Sequence, residues 1–160
     1  MIVKWLRESV VASWLLLLIR LYAGYEWLTS GWGKVTGGFD AAGFLTSAME
    51  KSTGDHPAVQ GWWASFLEHF AVPNVGLFNV LVPYGEVLVG LGLILGTFTW
   101  AAAFFGMVMN FAFLFSGTVS TNPQLLLLEI FIVVAGANAG RIGLDYFIMP
   151  YFRKNAVRRR

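Results

Sequence analysis

Arg20, Glu86, Asn110 and Glu129 each interrupt a long apolar run, and their chemistry sets them apart from the rest of the chain. An ionised side chain at bilayer depth costs roughly 2.5 to 3.5 kcal/mol on insertion scales unless it is paired or wet, so a charge retained there points to a functional site. A guanidinium or ammonium can hold an anion through charge-assisted hydrogen bonds. A buried carboxylate can pass a proton to or from a bound group. Lys34 joins this set, because Arg20, Gly24, Trp27, Gly31 and Lys34 recur at helical steps along one stripe.

Such residues need elements that keep them inside lipid, and the composition provides them. Of 160 residues, 57% are hydrophobic and only 12% charged, against about 25% charged in a soluble domain. The reading is an all-α integral membrane protein, a single membrane domain built as a four-helix bundle. Its spans are placed at about residues 9–32, 75–97, 100–116 and 123–144, with Pro123 opening the last. The connections between the second, third and fourth spans are short, so these neighbours run antiparallel. Lys4 and Arg7 precede the first span and Arg153, Lys154, Arg158, Arg159 and Arg160 follow the last. By the positive-inside rule both termini are cytoplasmic, in the plasma membrane, with residues 145–160 as a tail anchored at the inner surface by aromatic side chains and anionic lipid.

The outer loop, residues 35–73, should carry two short interfacial helices. Asp40 can cap one over Ala41 to Lys51, and Pro57 should open a second bearing Trp62, Trp63, Phe66 and Phe70. The first span is expected to stay in the mature chain, since Arg20, Glu26 and Trp27 do not fit a cleaved signal.

The other spans carry matching stripes: Asn79, Pro83, Glu86 and Gly90; Gly106, Asn110, Phe113 and Gly117; Glu129, Gly136, Gly140 and Gly143. Small residues beside one polar group suit a bundle interior in lipid. At about 1.5 Å per residue, Arg20, Glu86 and Asn110 fall near the midplane and Glu129 somewhat further out. Glu26 lies in the outer half, turned roughly 120° from Arg20. A pocket from midplane to outer mouth follows. An alternative has Arg20 as the counter-ion of Glu86, Glu129 or Glu26, fixing helix register, with Asn110 as interhelical glue.

Several classes are excluded or unsupported. Cysteine is absent, which removes thiol redox chemistry, iron–sulfur clusters and thiolate metal sites. His56 and His69 fall in the outer loop, so neither serves a haem within the spans and no metal site is expected. Lys and Arg exceed Asp and Glu by a net charge of only +2, which gives no footprint for nucleic acid.

The run from Arg20 through Gly24 and Gly31 to Lys34 resembles the first-helix signature of the DoxX/DoxD-like membrane proteins. Glu86 with Gly90, Gly92 and Gly96 is similar to the second-helix pattern, and Asn122-Pro123 through Asp145 to the last helix. The resemblance implies a four-helix membrane subunit, in some members associated with thiosulfate:quinone oxidoreductase and in others with oxidative stress, and it points to Arg20, Lys34 and Glu86. The enlarged aromatic outer loop departs from the pattern.

Three functions are then in contention. The first is a membrane subunit of a quinone-linked oxidoreductase, with quinone as a non-covalent co-substrate and thiosulfate or a related small reductant arriving at the outer face. There Arg20 and Lys34 would bind the anion, Glu86 or Glu129 would move protons as catalytic groups, and Trp27, Glu26 and Asn110 would complete the binding site. The second is a non-catalytic scaffold for a soluble or membrane oxidoreductase partner, and the third a small-solute or proton pathway. The sequence leaves open whether the chain forms a homo-oligomer.

Overall fold

In the computed structural model, which describes residues 1–157, the chain is helical throughout with no strand among the described residues. A short helix α1, Ile2–Glu8, is followed by α2, Val10–Gly37. Ser9 divides them: its extended backbone breaks the helix and its Oγ accepts from the Ala12 N–H. α2 thus starts where expected but runs five residues past Trp32, until Gly38 adopts a left-handed backbone and returns its N–H to the Lys34 carbonyl.

The long connection after α2, whose end of the molecule is called outer and the opposite end inner, as labels only, folds as α3, Ala41–Glu50, and α4, Gly61–Phe66, which continues as a π turn over Leu67–Ala71. Asp40 caps α3 as expected, Oδ1 accepting from Ala42 at 3.0 Å. Pro57 does not open α4. Val59 is fully buried and donates its N–H to the Lys51 carbonyl, so residues 57–60 stay irregular and the helix begins only after Gln60.

α5 spans Val75–Leu95 with Pro83 inside it, α6 spans Thr99–Phe115 and α7 spans Asn122–Ala135. The fourth expected run, residues 123–144, is not one helix. At Gly136 the backbone turns to φ 59°, ψ −128°, a region open essentially to glycine, and a 3-10 turn follows over Gly136–Gly140 before α8, Asp145–Val157. Asn138 holds that turn by donating to the Leu6 and Ser9 carbonyls at 2.7 and 2.9 Å. The stripe Glu129, Gly136, Gly140, Gly143 is therefore broken after its first member. α8 forms from the start of the expected tail; the side chains from Arg153 onward lie outside the described residues.

Three segments are long and apolar enough to cross a membrane: Val10–Gly37, Val75–Leu95 and Asn122–Gly140. α6 is equally apolar but shorter, at 17 residues. Large apolar side chains such as Leu18, Val80, Leu88, Phe105 and Leu127 are exposed along the outside of these helices, as acyl chains require and water does not.

α2 packs most closely on α5 and also meets α7, while α6 lies against α5 and α7. Glycine makes the first of these seams. A Cβ at Gly90 would stand 2.6 Å from the Leu28 backbone nitrogen, and one at Gly24 would stand 2.9 Å from the Gly90 oxygen. The resulting core holds Leu16, Trp27, Val89, Leu93, Leu125 and Ile132. A second, outer core of Ala41, Leu45, Ala48, Leu67 and Ala71 seats α3 and the π turn over the helix ends, against Phe78 of α5.

Candidate functional site

The polar residues occupy three levels along α2, not one cluster. At the innermost level Arg20 is fully buried. Its Nη2 donates to the Ile142 carbonyl at 2.6 Å and its Nη1 reaches Thr99 Oγ1 at 3.4 Å, while Nε has no partner among the described residues. Gly96 and Gly143 leave the room: the guanidinium fills the space a side chain at Gly96 would need, and Nη1 would lie 2.9 Å from a Cβ at Gly143. Asp145 supplies the facing negative charge. Both its oxygens are engaged, accepting from the Phe98 and Thr99 N–H groups at 2.7 and 2.9 Å, so it caps α6. Its own N–H returns to the Gly96 carbonyl, and Leu144 N–H to the Leu95 carbonyl. The two connections at this end of the molecule, residues 96–98 and 141–144, are thereby tied together around Arg20.

At the middle level Glu129 is fully buried between α2, α6 and α7. Trp27 donates its indole N–H to Oε1 at 2.6 Å and Asn110 donates Nδ2 to Oε2 at 2.8 Å. Gly106 is a glycine because the Glu129 carboxyl lies where its side chain would be. Asn110 Oδ1 has no partner among the described residues.

At the outer level Lys34 Nζ lies 2.6 Å from Glu86 Oε2, the one salt bridge among the described residues, and also donates to Ser30 Oγ at 2.7 Å. Ser30 in turn donates to Glu86 Oε2 at 3.0 Å. The Glu86 side chain is 2% exposed and that of Lys34 27%, so the carboxylate is enclosed and the lysine side chain is partly exposed. Lys34 also stands 5.9 Å from the Phe39 ring centroid.

Beside this level is a half-open cavity of about 1280 Å³ that starts beneath α3 and α4 and continues along α5 and α6 to Thr97 and Phe98. Its walls are mainly apolar, with Trp27, Phe44, Met109, Phe113 and Leu125, and its polar groups include Glu26, Ser30, Lys34 and Glu86. Glu129 is not in the wall; Trp27 stands between it and the cavity. Glu26 is half-buried at the edge, so the face that seemed turned away from the stripe shares the same cavity.

Several expected relationships change. Arg20 pairs with none of Glu86, Glu129 or Glu26; its carbonyl and hydroxyl partners and its facing acid come from the inner connections. Arg20 and Lys34 do not converge, being 14 positions apart on one helix, or roughly 21 Å. The depth order of the carboxylates is also reversed. Glu86 packs against Ser30 and Gly31 but Glu129 meets Trp27, because α5 begins further out, where Phe78 enters the outer core. Glu86, Lys34, Glu26 and Trp27 are thus brought to one cavity, Glu129 and Asn110 stand behind Trp27, and Arg20 is remote.

Sequence reasoning missed Ser30 and Asp145. Ser30 carried a signal, lying one turn before Lys34 on the same face. Asp145 was read as the first residue of a tail, and its role depends on a contact made across 47 positions. Among the described residues no group of three His, Cys, Asp or Glu side chains is placed to hold a metal.

The sequence model of the DoxX family matches residues 15–119, about two thirds of the chain. The match covers most of α2, the outer helices, α5 and α6, and so contains Arg20, Glu26, Trp27, Lys34, Glu86 and Asn110 but neither Glu129 nor Asp145. Among curated proteins and solved structures, none matches the chain.

Proposed function

Since this chain belongs to the DoxX family of membrane proteins, we propose that it is the membrane subunit of a quinone-linked oxidoreductase, with the quinone head in the cavity beside Lys34 and Glu86. The observation that carries this reading is a charged, hydrogen-bonded pair set in the wall of a largely apolar cavity. A quinone head needs apolar surface for its ring and few polar contacts for its oxygens, and Trp27 and Phe113 offer such surface, with ring centroids 6.5 Å apart.

Reduction of a quinone to a quinol takes up two electrons and two protons. Lys34 donates a hydrogen bond to one quinone oxygen, which stabilises the negative charge developing there. Glu86 passes protons, with Ser30 as its hydrogen-bonded neighbour. Glu129, behind Trp27, is a second proton-holding carboxyl. The electrons come from a small reductant of the thiosulfate class at the outer face or from a partner oxidoreductase subunit. Lys34, with two of its three ammonium protons on Glu86 and Ser30, keeps one for either the quinone oxygen or such an anion, in turn; Arg20, enclosed by the two connections around it, is assigned to holding those connections.

The accompanying topology is four spans, α2, α5, α6 and α7 with its 3-10 turn, at the plasma membrane with both termini cytoplasmic. Arg7 supports this orientation, since its Nε donates to the Val134 carbonyl and so brings α1 to the end of α7.

The test is quinone reduction by purified protein in lipid nanodiscs supplied with thiosulfate, sulfite or sulfide, comparing wild type with Glu86→Gln. Donor-dependent turnover that collapses in the variant supports the reading. A folded protein without turnover under any donor, and with no quinone bound, rejects it.

A second reading, a scaffold for a redox partner, draws on the outer helices. Trp62, Phe66 and Phe70 form an exposed aromatic row there, suited to the headgroup belt or to a partner. Copurification of an oxidoreductase that is lost with Phe66→Ser and Phe70→Ser would favour it.

A further inference from the structure

We infer that the seam between α5 and α6 is a side door through which the tail of a lipid-soluble quinone enters from the bilayer, lying over Gly85 and Met109 with its head at Lys34 and Glu86. The inference rests on the quinone reading above and adds the route and the part of the molecule that recognises the tail.

The two helices meet unequally along their length. Near the inner end they touch closely: a Cβ at Gly92 would lie 2.8 Å from the Cβ of Ala102. Two turns further out, at Gly85, the nearest atoms from α6 belong to the flexible end of one side chain, Met109 Sδ at 3.3 Å and Cε at 3.5 Å. The cavity runs along the whole of this seam, past Gly92 and Ala102 to Thr97 and Phe98, and at the Gly85 level half-buried Gly85 and Met109 are flanked by exposed Leu88, Phe105 and Val108. No backbone hydrogen bond or ion pair joins the two helices at this level among the described residues.

The seam differs from an ordinary lipid-facing surface in what it leads to. Glu86 follows Gly85 directly and turns inward to the Lys34 ammonium, so one cavity has an apolar slot at the bilayer and a charged pair at its inner wall. That polarity fits an amphipathic molecule with a long hydrocarbon chain and a compact hydrogen-bonding head. Methionine suits the position of a gate, since an unbranched thioether shifts between rotamers at low cost.

The test is light-driven labelling in nanodiscs with two probes: a quinone carrying a diazirine in its tail, and an alkyl diazirine without a head. The expected result for wild type is labelling of the α6 peptide containing Phe105 and Met109 by the quinone probe, competed by unlabelled tailed quinone. Gly85→Phe, which blocks the seam at Met109, should lower this about tenfold, whereas Gly85→Ala, which asks only for a small shift of Met109, should retain it. Met109→Ala should raise it, which keeps the proposal open to test if Gly85→Phe fails to fold. If the headless probe labels the seam, falls with Gly85→Phe and is not competed by quinone, the side door stands and the quinone reading falls. Labelling that ignores Gly85→Phe and Met109→Ala, or that lies on other helices, overturns the side door.

Discussion

Lys34 and Glu86 meet at 2.6 Å although they come from different helices and 52 positions of chain separate them. The carboxylate is enclosed and the ammonium is its only cationic neighbour among the described residues. Removing one partner of such a pair leaves the other uncompensated, which is costlier than removing both. Lys34→Met should lower thermal stability in detergent or nanodiscs, by about 1–3 kcal/mol where unfolding is reversible. Adding Glu86→Gln should recover part of the loss. A double-substitution cycle checks this, and additive effects would show that the pair is not coupled.

The α2 and α5 seam makes a contrast between glycines. Gly90→Ala drives a methyl into the Leu28 backbone and should cost about 1–3 kcal/mol as overpacking. Gly33 and Gly76 have nothing within 4 Å of the same atom; alanine should stabilise by about 0.5–1 kcal/mol at Gly33, inside α2, and be near neutral at Gly76, in the first turn of α5. Comparative melting of the three variants reads both signs in one experiment.

Asp145 should be a stability residue. Asp145→Ala removes both acceptors at the start of α6, about 0.5–2 kcal/mol for the cap alone, and takes away the negative charge facing Arg20. Phe98 has a left-handed backbone at φ 46°, which a non-glycine residue adopts only at a cost, so the α5 and α6 connection should become more accessible. Faster amide exchange at residues 96–99, with the Lys34 and Glu86 level unchanged, is the expected pattern; Arg20→Gln should reproduce it.

The difference between Asp40 and Asp145 explains how much of this molecule was legible in its sequence. Asp40 accepts from an N–H two positions away, in the helix it precedes, and a local rule read it correctly. Asp145 caps a helix that begins 46 positions earlier, and no local pattern encodes that return. The same distinction applies to Arg20. Its burial and importance were readable from a charge in an apolar run, but its partners lie on the inner connections, out of reach of any spacing argument. Gly136 was misread for another reason. A lone glycine in a helical pattern is usually tolerated, and only the docking of Asn138 on α1 and Ser9 decides that the helix ends there. The polar set on α2 was legible as a stripe, yet the stripe spans more depth than one cavity.

Trp27 connects the cavity to Glu129. Trp27→Phe keeps the ring surface and removes the indole N–H, leaving Glu129 with Asn110 as its one hydrogen-bond donor. If Glu129 supplies protons during turnover, Trp27→Phe and Glu129→Gln should both slow quinone reduction while quinone affinity changes little. A matching loss of affinity would make Trp27 a binding surface only.

The account depends on a quinone head resting against Lys34 and Glu86. The direct measurement is equilibrium binding of decyl-ubiquinone to the protein in nanodiscs, without an electron donor, read by quenching of tryptophan fluorescence and compared with empty discs for partition. Saturable binding that weakens about tenfold in Lys34→Met is the predicted result. Quenching that never saturates, or that is the same in wild type and Lys34→Met, would contradict it.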